Sequence, residues 1–278
     1  MRAIITDLNF KNKYFGLIDG GRKYFFYLPK RLSSIFFEHL KVGFLIDFVA
    51  YDNVKVLNKR KAYEVSVINE IIQLEPYMEV YSLAKLKKDM KDVLLSCEYY
   101  LCVDFEMSMA NYKEKGYKAE IIQAGYVLMD KEYNIKEERS AYILPLEPSA
   151  INKRTLKFLK LDFDDYLDQA ILYIEFYEEL KKMIDTYHPK IVTWGKNDRL
   201  VLNDSYEINK VKPITNNHDF MDLLKLHKDF FSLKDDIGLF KAYQIYYQEL
   251  DPQRHDALED ATITKDILIA FLKVLKEI

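Results

Sequence analysis

A chain of 278 residues that is 49% hydrophobic, with 22 Tyr and 17 Phe, holds enough apolar material for one large or two modest packed domains, which excludes wholesale disorder. No apolar run reaches the length of a membrane span and the N-terminus lacks a signal-peptide core, so the expectation is a cytoplasmic protein with no membrane partner. The net charge of −3 hides an asymmetry: residues 1–66 hold twelve Lys or Arg and six Asp or Glu, a net +6, whereas the remainder holds 29 basic and 38 acidic residues, a net −9. A basic first part suits the gripping of a polyanion and an acidic second part the holding of metal.

The first module, residues 1–66, reads as five short strands: Ala3–Leu8, Tyr14–Ile18, Tyr24–Leu28, Phe44–Tyr51 and Ala62–Val67. Asp19-Gly20-Gly21 between the second and third is a hairpin signal. Five strands in so short a span predict a small all-β barrel of OB type. The stretch resembles a cold-shock domain. Tyr14-Phe15-Gly16-Leu17-Ile18 stands where that family has Gly-Phe-Gly-Phe-Ile, and Lys23-Tyr24-Phe25-Phe26-Tyr27-Leu28 where it has an aromatic RNA-binding strand. Leu17 replaces an aromatic residue and Tyr27 a histidine. Phe15, Phe25 and Tyr27 are the candidate nucleic-acid-binding residues: on an open face they would stack unpaired bases, and otherwise they fill the barrel's core.

Residues 67–97 read as a helical connector, because Val80, Leu83, Leu86, Met90, Val93 and Leu94 recur at helical spacing among lysines and aspartates. Cys97 and Cys102, the two cysteines of the chain, are expected as reduced, buried thiols. From residue 98 to 278 the order is three strands (99–105, 120–129, 140–145), a long helical region (about 164–186), a strand (190–194) and then mainly helices.

The run 99–105 is nearly all apolar, as in a strand buried on both faces, and it ends in Asp104-Phe105-Glu106. Alternation puts Asp104 and Glu106 on one side of the sheet, where two carboxylates repel each other unless a hard cation lies between them. In Val192-Thr193-Trp194-Gly195-Lys196-Asn197-Asp198 an apolar strand breaks at Gly195, so Asp198 falls near a strand-to-helix junction. In His255-Asp256-Ala257-Leu258-Glu259-Asp260, Asp256 and Glu259 read as a helix cap, which leaves His255 and Asp260 without a folding role.

The order Asp-x-Glu, Asp, His-x-x-x-x-Asp resembles the DEDDh branch of the 3′-5′ exonucleases. It is similar above all to Eri-type exoribonucleases, which share a Trp-Gly-x-x-Asp middle motif, and Ala119–Gly125 resembles the family's second strand. The resemblance implies a mixed-sheet RNase H-like α/β fold after the barrel. It implies a two-metal phosphodiester hydrolase using two Mg²⁺ or Mn²⁺ ions on single-stranded nucleic acid, RNA before DNA. Asp104, Glu106, Asp198 and Asp260 would be the metal ligands and His255 the general base. Met107 would either touch the terminal nucleotide or take a core position. The alternatives are a proofreading-type DNA exonuclease and a non-catalytic RNA-binding regulator. His39, His188, His218 and His227 are expected at the surface, as is the acidic run Asp162, Asp164, Asp165 and Asp168.

Overall fold

The computed structural model describes residues 1–110, 117–159, 162–247 and 256–277. The chain divides into two compact units, Met1–Asp92 and Val93–Ile278. The first opens with strands β1 (Arg2–Asn9), β2 (Tyr14–Asp19) and β3 (Arg22–Tyr27), then helix α1 (Lys30–Phe36). Strands β4 (Leu45–Leu57), β5 (Arg60–Gln73) and β6 (Met78–Ser82) and helix α2 (Leu83–Leu95) follow. Pairing runs β3-β2-β1-β4-β5, and a parallel β3–β5 contact closes the five strands into a barrel. The β2–β3 turn is tight because Gly20 and Gly21 take φ of 54° and 74°, which a two-residue hairpin of matching twist requires. Inside lie Ile5, Phe15, Leu17, Phe26, Phe48, Val65 and Ile68, with Leu32 of α1.

The expected boundary after residue 66 falls inside a strand. β4 and β5 run for 13 and 14 residues, well beyond the expected strands, joined at Asn58-Lys59, where both residues have positive φ, and β5 continues to Gln73. Its first half pairs with β3 and its second half with β6. Val65, Ile68, Ile71 and Ile72 stay buried along the whole run, and shifts of register in the β4–β5 ladder carry the pairing past each irregularity. Helix in the 67–97 stretch is therefore confined to α2.

The second unit is a mixed α/β fold, a six-stranded sheet with helices. Its strands are β7 (Tyr99–Met107), β8 (Ile121–Asp130), β9 (Ile135–Leu144), β10 (Ile171–Leu172), β11 (Lys190–Thr193) and β12 (Phe220–Asp222). They lie in the order β10-β9-β8-β7-β11-β12. β7, β8 and β9 are antiparallel neighbours, and β11 runs parallel to β7. The helices are α3 (Lys153–Leu159), α4 (Phe163–Gln169), α5 (Tyr173–Tyr187), α6 (Asn197–Ile208), α7 (Leu223–Phe230), α8 (Leu239–Tyr246) and α9 (Ala257–Glu277). The long helical region expected over about 164–186 is two helices, because Ala170 is extended and Ile171-Leu172 pair with the end of β9.

Every residue of β8 is buried, since helices cover both faces of the sheet. Leu101, Val103 and Phe105 of β7 pack with Phe176, Tyr177 and Leu180 of α5 and with Val201 and Leu202 of α6. The alternate residues of β7, Asp104 and Glu106 among them, face the side where α9 packs on β7 and β8.

Candidate active site

Asp104 and Glu106 sit near the C-terminal end of β7, and the β7–β8 ladder slips by a residue just beyond Glu106. Asp260 enters from the first turns of α9, and carboxylate oxygens of Asp104, Glu106 and Asp260 all lie within 4.8 Å of one another. Asp260 can come so near because Gly125, opposite Asp104 in the ladder, has no side chain: a Cβ there would stand 2.1 Å from the Ala257 backbone. Asp198 comes from the first turn of α6, just after Gly195, whose φ of 98° ends β11. Its Oδ1 accepts a hydrogen bond of 3.0 Å from the Phe105 backbone N–H, which ties α6 to the middle of the Asp104–Glu106 pair.

Glu106, Asp260 and Asp198 are 7%, 7% and 5% exposed, and Asp104 is partly exposed. Burial first, then mutual repulsion, makes their ionisation costly. Glu106 is pushed up to about 7 by burial, then by the charges of Asp198 and Asp256. Asp260 is pushed up to about 7 by burial, then by Glu106 and other carboxylates. Asp198 is raised to about 6 by burial, against the opposing effect of its backbone hydrogen bonds. Asp104 lies well above the carboxylate range through burial and four neighbouring acids. No cation of the described residues offsets these shifts.

The buried Oδ1 of Asp260 has no hydrogen-bond partner among the described residues. A buried, unpaired carboxylate oxygen within ligand distance of two more carboxylates suits a hard cation, which takes oxygen ligands and cancels the repulsion. The cluster thus fits a divalent metal ion. His255 lies outside the described residues. Asp256 caps α9 as expected, its Oδ1 accepting from the Leu258 and Glu259 N–H groups at 3.1 Å each.

Other candidates fall elsewhere. Met107 is half-buried against the core on the α5 side. Phe15 is fully buried, so the stacking role considered for it is corrected: it faces Phe26 across the hairpin and packs on Phe48 inside the barrel. Phe25 and Tyr27 are on the opposite, outward side of β3 and are half-buried. The Arg60 guanidinium lies 4.7 Å and the Lys23 ammonium 5.7 Å from the Phe25 ring centre, and Lys55 lies 5.8 Å from that of Tyr27. The Tyr27 hydroxyl donates to Glu64 at 2.7 Å, and burial followed by that carboxylate pushes its pKa up to about 12.

Lys55 and Arg60 escape a reading of the sequence because the β4–β5 hairpin carries no glycine to mark its turn. His227, expected at the surface, is 1% exposed. It shares the buried stripe of α7 with Leu223 and Phe230, a spacing readable in the sequence, and its Nε2 meets the Tyr246 hydroxyl at 2.8 Å. Burial lowers its pKa.

Comparison with known proteins agrees with this geometry. The exonuclease (RNase T) family matches residues 101–268. "Probable 3′-5′ exonuclease KapD" of Bacillus subtilis (strain 168) is 30% identical over 164 residues, 58% of this chain and 78% of its own. The nuclease domain of 3′hExo, a DEDDh family member, bound to rAMP, matches with a TM-score of 0.57 at 16% identity, covering 64% of this chain and 94% of its own. Cell-death related nuclease 4 (CRN-4) matches with a TM-score of 0.54 at 18% identity, covering 64% of each chain. The chain belongs to the exonuclease family and is a nuclease. No described helix is long and apolar enough to cross a membrane.

Proposed function

We propose that this protein is a divalent-metal-dependent 3′-5′ exonuclease that shortens single-stranded RNA from a free 3′ end and releases nucleoside 5′-monophosphates. The observation that carries the reading is the convergence of Asp104, Glu106 and Asp260 around the unpartnered oxygen of Asp260, with Asp198 fixed beside them. In this reading the four carboxylates hold two Mg²⁺ or Mn²⁺ ions, which when bound generate a nucleophile from water and offset charge on the phosphorus and leaving oxygens. Asp104 would contribute to holding both ions, Glu106 and Asp260 would help hold one, and Asp198 the other. His255, which precedes the α9 cap, takes the proton of the attacking water, for which an imidazole pKa near ~6.5 is well matched.

The outward aromatic face of the barrel supports a single-stranded substrate. Phe25 and Tyr27 set aromatic surface beside the positive charges of Lys55 and Arg60, the combination that takes unpaired bases and their phosphates once the cations shift from the rings to phosphate, whereas Lys23 is paired with Asp7. RNA is favoured by the cold-shock likeness of this unit, and the 3′-5′ direction by KapD and the DEDDh nucleases. The two free cysteines, Cys97 and Cys102, are in keeping with a cytoplasmic setting.

The test is digestion of RNA and DNA oligonucleotides of one sequence, labelled at either end, with Mg²⁺, with Mn²⁺ and with chelator. A 5′-labelled RNA ladder shortening one nucleotide at a time, only with metal, is the expected result. Faster loss of the matched DNA would favour the proofreading-type reading. No cleavage of either would leave a non-catalytic nucleic-acid-binding protein.

A further inference from the structure

Apart from Asp130 at its end, the strongly polar side chain of β8 is the fully enclosed carboxamide of Gln123, which is 2% exposed. Packing alone gives no reason for a carboxamide there, because burying one costs free energy unless its groups are hydrogen-bonded. Gln123 stands directly opposite Glu106 in the β7–β8 ladder, so its side chain rises on the same face as the carboxylates. Its Nε2 donates to Asp256 Oδ2 at 2.9 Å and to Ser140 Oγ at 3.3 Å, and its Oε1 accepts from the Ala257 N–H at 3.5 Å. The other oxygen of Asp256 caps the Leu258 and Glu259 amides, and the Asp256 carbonyl accepts from the Asp260 N–H at 3.0 Å. A continuous set of hydrogen bonds therefore runs from the sheet to the residue that closes the carboxylate cluster.

We propose that Gln123 is a positioning residue for the hydrolytic site: by holding Asp256 and the first turn of α9 against β8, it fixes the Asp260 carboxylate relative to Asp104 and Glu106. Gly125 and Gln123 divide the task. Gly125, two residues along on the same face, sets how closely the helix approaches, and Gln123 sets its register and rotation. The bond to Gln123 also keeps the Asp256 carboxylate directed at the strand and at the helix amides instead of into the cluster, where a further negative charge would compete with Asp260. The proposal rests on the reading of the cluster as the hydrolytic site.

The test uses the full chain with Gln123→Met, which preserves length and volume but makes none of these bonds, and the exchanged pair Gln123→Glu with Asp256→Asn. In the pair, the carboxamide moved to the helix cap still accepts from the α9 amides and donates to the carboxylate moved to β8. The link is thus restored with donor and acceptor reversed. Gln123→Met is expected to lower kcat about 10- to 100-fold, as loss of an outer partner at a metal site does, with KM nearly unchanged. In the metal-free protein, exchange of the Leu258, Glu259 and Asp260 amides should accelerate while the β7 and β8 amides stay protected. Gln123→Glu alone, which sets two carboxylates against each other, should be at least as impaired, and the exchanged pair should recover most of the lost kcat and amide protection.

Wild-type kcat together with unchanged exchange in Gln123→Met overturns the proposal, as does a folded exchanged pair no better than Gln123→Glu alone. Should Gln123→Met fail to fold, the comparison of Gln123→Glu with the exchanged pair decides. Hydrogen exchange needs neither metal nor substrate, so it answers for Gln123 even if the wild-type protein shows no hydrolysis, an outcome that would count against the proposed function only.

Discussion

Gly125 stands opposite Asp104 across the β7–β8 ladder, and the backbone of Ala257-Leu258 occupies the space a side chain at 125 would fill. The absence of one methyl group on β8 is what lets a helix drawn from the other end of the chain bring Asp260 to Asp104. Gly125→Ala puts a carbon within 2.2 Å of the peptide that starts α9 and forces the helix away. Overpacking of this kind costs about 1–3 kcal/mol. We expect a melting temperature several degrees lower, and hydrolysis reduced far more than unfolding alone explains at a temperature where the variant is still native. Thermal melts paired with oligonucleotide digestion measure both.

Asp104→Asn keeps the shape of the side chain but removes a charge from the cluster. Hydrolysis should fall by more than the roughly 10–100-fold typical of outer partners at a metal site, while the far-UV circular dichroism stays native. Binding to the folded state alone raises stability, so Mg²⁺ or Mn²⁺ should raise the melting temperature of the native protein, and Asp104→Asn should lose most of that gain.

The metal-free protein should become less stable as pH rises. Glu106 and Asp260 titrate near about 7 when folded, whereas carboxylates of the unfolded chain titrate near ~4. Between these values the folded state binds more protons, so their full contribution is present below about pH 4 and is lost as pH rises through about 7. Denaturant melts in chelator at pH 5, 6, 7 and 8 should show this fall, and Asp260→Asn should flatten it. With Mg²⁺ present the trend should weaken or reverse, because the ion binds the ionised form. A melting midpoint in chelator that rises steadily from pH 5 to 8 in the native protein alone would contradict the assigned electrostatics.

His255→Ala should lower kcat by about 10²–10⁴-fold, the usual range for a general base, and leave metal-induced stabilisation largely intact. Calorimetric titration with Mn²⁺ separates the roles: a collapse of metal affinity in the variant would make His255 a ligand.

The barrel should act on binding more than on chemistry. A chain beginning at Val93, where the second unit starts, should still cleave short oligonucleotides but bind long single strands more weakly and with a shallower salt dependence. In the full chain, Phe25→Ala with Tyr27→Ala should weaken binding at a nearly unchanged salt slope, since stacking releases few counterions, whereas Lys55→Ala with Arg60→Ala should lower the slope. Fluorescence anisotropy over a salt series reads all three. Equal affinity and slope with and without the first unit would assign the barrel a different role.

The acidic constellation was legible in part because alternation along a strand fixes which side chains share a face. Alternation put Asp104 and Glu106 on one face and the break at Gly195 put Asp198 near a helix start, but that these acids share one site came from the resemblance to the DEDDh exonucleases. Asp260 was singled out as an acid that capping leaves unexplained. The burial of Phe15 was also within reach: a two-residue turn at Gly20-Gly21 pairs Asp19 with Arg22, and counting back sets Phe15 against Phe26, on the inward side. What the sequence could not disclose depended on contacts made at long range. The β4–β5 ladder shifts register at three places, so the position of Arg60 over Phe25 follows from no local pattern. The partnership of Gln123 and Asp256 joins residues 133 apart in the chain.

The edges of the second sheet bear on how the protein behaves when crowded. Among the described residues, β10 has two residues, paired with Ile143 and Leu144, and most of β9 has no further strand beside it on that side. That margin carries Lys136-Glu137-Glu138-Arg139, all exposed, and the far margin, β12, is three residues long. A stray strand from another molecule would have to bring its backbone against this charged row or settle for a stub. Both borders are thereby guarded against edge-to-edge aggregation, and the sheet that carries the nuclease can be nearly all apolar within without becoming adhesive outside.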